Sequence, residues 1–117
     1  MVAPRAYVPD RGDIVWLAFT PQSGQEHAGR RPALVLTPAR YSDKAGLAVC
    51  CPVTSRRKEY PFEVNLPAES PVTGVVLADQ VKSLDWRSRG AAFACRVPDG
   101  VLEDVLLKLG ALLAIPE

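Results

Sequence analysis

The amino-acid sequence predicts a mainly β fold, a small barrel sealed by one C-terminal helix, on three observations. Its 117 residues and 48% hydrophobic content suit one core, so residues 1–117 are expected to form a single domain. Eleven prolines and eight glycines, spread along the chain, mark many short elements joined by turns, as in a β-rich fold rather than a helical bundle. Apolar residues fall in short runs between those turns, and only the C-terminal end takes helical spacing.

The first run, DIVWLAF at 13–19, follows Gly12 and is rich in β-branched and aromatic residues but too short for a helix, so it predicts a strand with Trp16 and Phe19 in the core. QEHAGRRP then makes a long loop. ALVLT at 33–37 is the second strand, opened by Pro32, since the first strand position needs no ladder donor. PARYSDKAG predicts a turn holding one helical turn. LAVCCPVT at 47–54 and FEVNL at 62–66, joined through RRKEYP, give strands three and four. GVVLADQVKSL at 74–84 is read as one strand and AAFACRV at 91–97 as the sixth, separated by DWRSRG. Val101, Leu102, Val105, Leu106, Leu109, Leu112 and Leu113 lie at helical spacing after Pro98 and Asp99. They form an amphipathic stripe expected to seal the barrel.

The formal charge of +1 does not by itself mark a nucleic-acid binder, so such a site needs a local patch. Three patches exist: Arg30-Arg31, Arg56-Arg57-Lys58, and Lys82 with Arg87 and Arg89. The ordinary role of such charge runs is solvated surface, yet all three fall in turn-rich segments, where sites are presented on a scaffold. Three cysteines, two of them adjacent (Cys50, Cys51), do not make a disulfide framework. With no apolar leader and no run near 18 residues, the sequence predicts a soluble protein of the reducing cytoplasm.

His27 is the chain's only histidine. That excludes RNA cleavage by an imidazole pair, and a zinc site from His27 with Cys50, Cys51 and Cys95 conflicts with the opposite facing of adjacent strand residues. There is no phosphate-binding glycine loop followed by Lys-Ser or Lys-Thr, and no carboxylate spacing of a two-metal nuclease. No metal or cofactor is expected. What remains is Glu26 and Arg31 in one loop, Thr54 at a strand end, and basic residues in other turns. An arginine fork and a threonine hydroxyl are both suited to a phosphate.

The stretches YVPDRGDIVW (7–16), GQEHAGRRPALVLTP (24–38), YPFEV (60–64) and LADQVKSLDWRSRG (77–90) together resemble the MazF family, ribosome-independent mRNA endoribonuclease toxins of toxin-antitoxin pairs. The resemblance covers nearly the whole chain. It implies an SH3-like β-barrel of the MazF/CcdB plasmid-toxin type with a C-terminal helix. It also implies a homodimer whose interface forms a groove for single-stranded mRNA, and a MazE-like antitoxin whose acidic tail lies along that groove. Cleavage at a short sequence motif would proceed without metal by attack of the ribose 2′-hydroxyl, leaving a 2′,3′-cyclic phosphate and a 5′-hydroxyl.

Carried over by position, the resemblance places the family's Glu-x-x-Gly-x-Arg-Pro pattern on Glu26, Gly29, Arg31 and Pro32, and its threonine on Thr54. Arg31 and Thr54 are the implied donors to the phosphate. Arginine's pKa above roughly 12 makes it a poor base, so Glu26 is expected to act as base or as orienter of Arg31. RNA-binding candidates are Arg30, Lys58, Tyr60, Asp79, Gln80, Lys82, Arg87 and Arg89, with Tyr60 or Trp86 stacking on a base unless Trp86 only plugs its turn. SRRKEY and PAESPVTG depart from the family pattern, and loop contacts of this kind set base choice. Two other readings are a toxin that binds DNA gyrase on the same fold and a non-catalytic SH3-like module. The C-terminal LLAIPE lacks the aromatic ending of the first, and Glu26, Arg31 and Thr54 argue against the second.

Overall fold

The computed structural model describes residues 6–18 and 29–116, so Phe19, Glu26 and His27 lie outside the described residues. The elements follow in the order β1 (Asp13–Ala18), β2 (Arg30–Val35), α1 (Ala39–Ala45), β3 (Ala48–Thr54), β4 (Glu63–Asn65), β5 (Val75–Leu77), β6 (Lys82–Leu84), β7 (Ala92–Arg96) and α2 (Asp99–Leu113). All strand pairs are antiparallel. The sheet runs β4-β5-β3-β2-β1-β7, with β6 also on β3. The mainly β class and the C-terminal helix match the expectation, but this hydrogen-bonded path is open rather than closed into a ring.

The central strands are apolar runs because both their faces are covered. On one face Ile14, Leu34, Cys51 and Val53 meet Val101 and Val105 of α2; on the other Val15, Leu17, Ala33, Val35 and Cys50 pack around Leu84 and Trp86. The period of two sends Cys50 and Cys51 to opposite faces, as anticipated. Burial is the first cause that pushes each of these thiols up to about 12, with the Cys51 charge adding for Cys50 and the Asp79 charge for Cys51. Both are packing groups in the neutral form.

Two prolines explain where the strand boundaries depart from the sequence reading. β2 begins at Arg30 rather than Ala33, and Pro32 lies within it opposite Trp16. The β2–β3 ladder starts only at Ala33↔Pro52, so Pro32 needs no donor toward β3. Pro52 sits where β3 changes partner, from β6 at Ala48–Cys50 to β5 at Val53–Thr54. A residue without an N–H suits that change. Opposite it, the single strand expected over 74–84 breaks into β5 and β6, with Ala78 donating instead to Phe62 O at 3.0 Å and Gln80 to Leu77 O at 3.1 Å. The break lifts Asp79 and Gln80 out of the ladder.

The segment after Pro38 forms a two-turn helix, longer than the one turn expected. Asp10 Oδ1 accepts the Ala39 N–H at 2.8 Å, and Gly46 closes the helix in the left-handed region at φ 73°. Trp86, only 5% exposed, donates its indole N–H to Ser42 O at 2.9 Å and fastens α1 to the sheet. Base stacking by Trp86 is therefore corrected: the ring is a plug. In α2, Val101 and Val105 are buried with Leu102 and Leu109 against them, whereas Leu106, Leu112 and Leu113 of the expected stripe are exposed. Among the described residues no helix is long and apolar enough to cross a membrane.

Candidate functional site

The β2–β3 ladder ends at the pair Ala33↔Pro52. Two residues further along that register bring Arg31 and Thr54 across from one another, and both line one depression of about 660 Å³. Its other walls come from Trp16, Ser55, Arg56 and the 71–73 loop. The only ionisable side chains among its described lining residues are Arg31 and Arg56, so the described part of this wall is cationic.

Thr54 is held from three sides. Its strand pairs with Val75, its Oγ1 accepts the Arg56 N–H at 3.2 Å, and Gly74, at φ +120°, packs onto its carbonyl. A hydroxyl that already accepts keeps its own proton for donation, here toward the groove shared with Arg31. Gly74 is required by space. A Cβ there would stand 2.2 Å from Thr54 O and 2.9 Å from its carbonyl carbon.

A second depression of about 280 Å³ adjoins the first through Thr54 and Arg56, and adds Lys58, Tyr60, Glu63, Asp79 and Gln80. Here charges are mixed. Glu63 accepts the backbone N–H groups of Lys58 and Glu59 at 2.9 and 3.1 Å, which folds the basic 55–60 loop back onto β4. Glu59 takes a left-handed φ of 56° to make that bend. Tyr60 is 46% exposed and donates its hydroxyl to Asp79 Oδ2 at 2.8 Å. That hydrogen bond, then the Asp79 charge and burial, raises the Tyr60 phenol above its ordinary pKa. Asp79 Oδ1 is buried and hydrogen-bonds no described protein group.

The structure thus brings Arg31, Thr54, Lys58, Tyr60, Asp79 and Gln80 to one groove. Four other candidates lie elsewhere. Arg30 donates to Trp16 O and Gly90 O, and Arg89 to Ala18 O, tying the 85–90 turn to the end of β1. Arg87 lies over the Trp86 ring and pairs with Asp43 at 3.1 Å, beside a different depression. Lys82 is exposed on β6, across from Cys50. Glu26 falls outside the described residues, as does His27. Among the described residues no three carboxylate, cysteine or histidine side chains gather to hold a metal.

Three contributors escaped the sequence reading. Trp16, expected in the core, is 38% exposed on the groove wall; its placement past the last core layer depends on how β1 is paired, which one strand cannot reveal. Arg56 was legible as part of a basic run but not as a lining residue of both depressions. Gly74, after the polar SPVT stretch, carries the sequence signal of a special backbone position, but what it approaches is a tertiary fact.

Comparison with known proteins gives the family of this fold. The family described as PemK-like, MazF-like toxin of type II toxin-antitoxin system matches residues 10–113. The endoribonuclease toxin MazF of Escherichia coli K12 is 47% identical over 107 residues, covering 92% of this chain and 96% of that protein. Crystal structures from Deinococcus radiodurans superpose closely. MazF alone gives a TM-score of 0.86 at 60% identity over 94% of this chain and 100% of the other. The MazE-MazF complex gives 0.90 at 59% identity over 95% and 100%. The chain belongs to the PemK-like, MazF-like toxins of type II toxin-antitoxin systems.

Proposed function

We propose that this protein is a sequence-specific endoribonuclease toxin that cleaves single-stranded mRNA in the groove between β2, β3 and the 71–74 loop. The observation that carries the reading is the single depression that Arg31 and Thr54 both line, with Arg56 as the one other ionisable side chain among its described lining residues. The 2′-oxygen attacks the adjacent phosphorus, a cyclic phosphodiester forms, and the bond to the 5′-oxygen breaks, with that oxygen taking up a proton. Negative charge grows on the non-bridging oxygens, which the Arg31 fork and the Thr54 hydroxyl stabilise as fixed donors. Glu26 accepts the 2′-hydroxyl proton or orients Arg31 in this scheme.

In the adjoining compartment Lys58 contacts a phosphate, while Asp79 and Gln80 read a base edge and Tyr60 supports Asp79. Arg30, Lys82, Arg87 and Arg89 serve longer-range attraction of the RNA strand. The protein acts in the cytoplasm as a homodimer, and a MazE-like antitoxin neutralises it by covering the groove. The MazE-MazF complexes formed by a protein 59% identical and the endoribonuclease named at 47% identity support this over a gyrase-binding toxin.

The test is incubation of wild type and Thr54→Val with a long single-stranded RNA in excess chelator. Wild type should cut at a recurring short motif, and Thr54→Val should cut about 10²- to 10³-fold more slowly. Equal rates would remove Thr54 from the chemistry, and no cleavage by wild type would end the enzyme reading.

A further inference from the structure

Trp16 is a strand residue whose ring the core leaves uncovered. It shares the sheet face of Ile14 but lies one layer beyond the core cluster that includes Ile14 and α2. Its cross-strand neighbours are Pro32 in β2 and Ala92 in β7, side chains too short to cover an indole. Trp16 is 38% exposed, against 5% for Trp86, and it lines the same depression as Arg31 and Thr54.

We propose that Trp16 is the stacking platform for a nucleobase next to the scissile phosphate. The inference rests on the ribonuclease reading and adds to it a binding residue for the substrate. Indole offers the largest π-face of any side chain, and every base has a π-face to lay on it, so the contact gives affinity without reading sequence. The groove then divides its work. The Trp16 side holds one base by stacking beside the cationic pair, and the Asp79–Gln80 side reads the edge of another. Thr54 and Arg56, common to both compartments, stand between the two bases.

The test uses Trp16→Ala and Trp16→Phe with an RNA whose cleavage position has been mapped on wild type. A short oligodeoxynucleotide of the same sequence serves as the uncleavable probe for tryptophan emission. Trp16→Ala should raise KM by roughly 5- to 150-fold with kcat within a few-fold of wild type, and Trp16→Phe should fall between. The probe should change wild-type emission, and that change should vanish in Trp16→Phe, whose remaining indole is the buried Trp86. If Trp16→Ala does not fold, the Phe variant and the emission difference still decide.

Unchanged KM with emission indifferent to the probe, while wild type cleaves normally, would overturn the platform. A fall in kcat alone would overturn it too, by making Trp16 a positioning residue. Emission that responds to protein concentration but not to the probe would assign the ring to a contact between copies. Failure of wild type to cut or bind any RNA would instead sink the ribonuclease reading, and the platform with it.

Discussion

Arg31→Ala is expected to lower the rate of RNA cleavage by about two to four orders of magnitude while leaving the fold intact. Removing one fixed donor from a site of this kind costs roughly 10²- to 10³-fold, and Arg31 presents a two-pronged fork rather than a single N–H. The residue is exposed at the open end of β2, so its loss should change stability by no more than about 0.5 kcal/mol. Arg31→Lys separates charge from geometry. Lysine keeps the positive charge but cannot present two parallel donors, so an intermediate rate is expected. Single-turnover cleavage together with thermal melts reads both effects, and full activity in Arg31→Ala would remove the residue from the chemistry.

Gly74→Ala should damage stability and activity together. The added Cβ meets Thr54 O at 2.2 Å and Ser55 Cα at 3.1 Å, backbone atoms that cannot swing aside as a long side chain would, and φ +120° is itself unfavourable for alanine. Gly74 also passes its carbonyl to Leu66 N at 3.0 Å, so the loop cannot back away without opening that bond. Either β5 leaves β3 or Thr54 moves. The expected loss is about 2–4 kcal/mol in stability, in the range of forced overpacking and backbone strain. At temperatures where the variant is still folded, a displacement near 1 Å at Thr54 should slow cleavage by roughly 10²-fold. Denaturant unfolding and cleavage rates on the same preparation check this, and wild-type values in both would contradict the close approach.

The strands that were easiest to foresee are those whose neighbours on both faces are apolar, because burial on two sides writes itself as an uninterrupted apolar run. β1 and β3 are of this kind. What escaped is non-local. The break between β5 and β6 lies opposite Pro52 on another strand, at the point where β3 exchanges partners, a non-local feature that a reading of residues 74–84 alone does not contain. The same holds at the site. Arg31 and Thr54 follow from family resemblance and residue chemistry, but their placement on one depression depends on the β2–β3 register. Trp16 reads as core in a one-dimensional pattern because an apolar residue in a strand ordinarily is. It is exposed because its paired positions hold Pro32 and Ala92. Helix α2 was legible from its period, yet the stripe does not say how far along its length packing extends.

In the proposed reaction the groove joining Arg31 and Thr54 directs a ribose 2′-hydroxyl onto its own phosphodiester. The most direct measurement replaces the single ribose on the 5′ side of a mapped cleavage position with deoxyribose and follows cutting at that position and at an unmodified one in the same strand. The modified position should resist cleavage while the other is cut normally, and the fragments should carry 2′,3′-cyclic phosphate and 5′-hydroxyl ends. Equal cutting at the deoxy position, or 3′-hydroxyl ends, would contradict it.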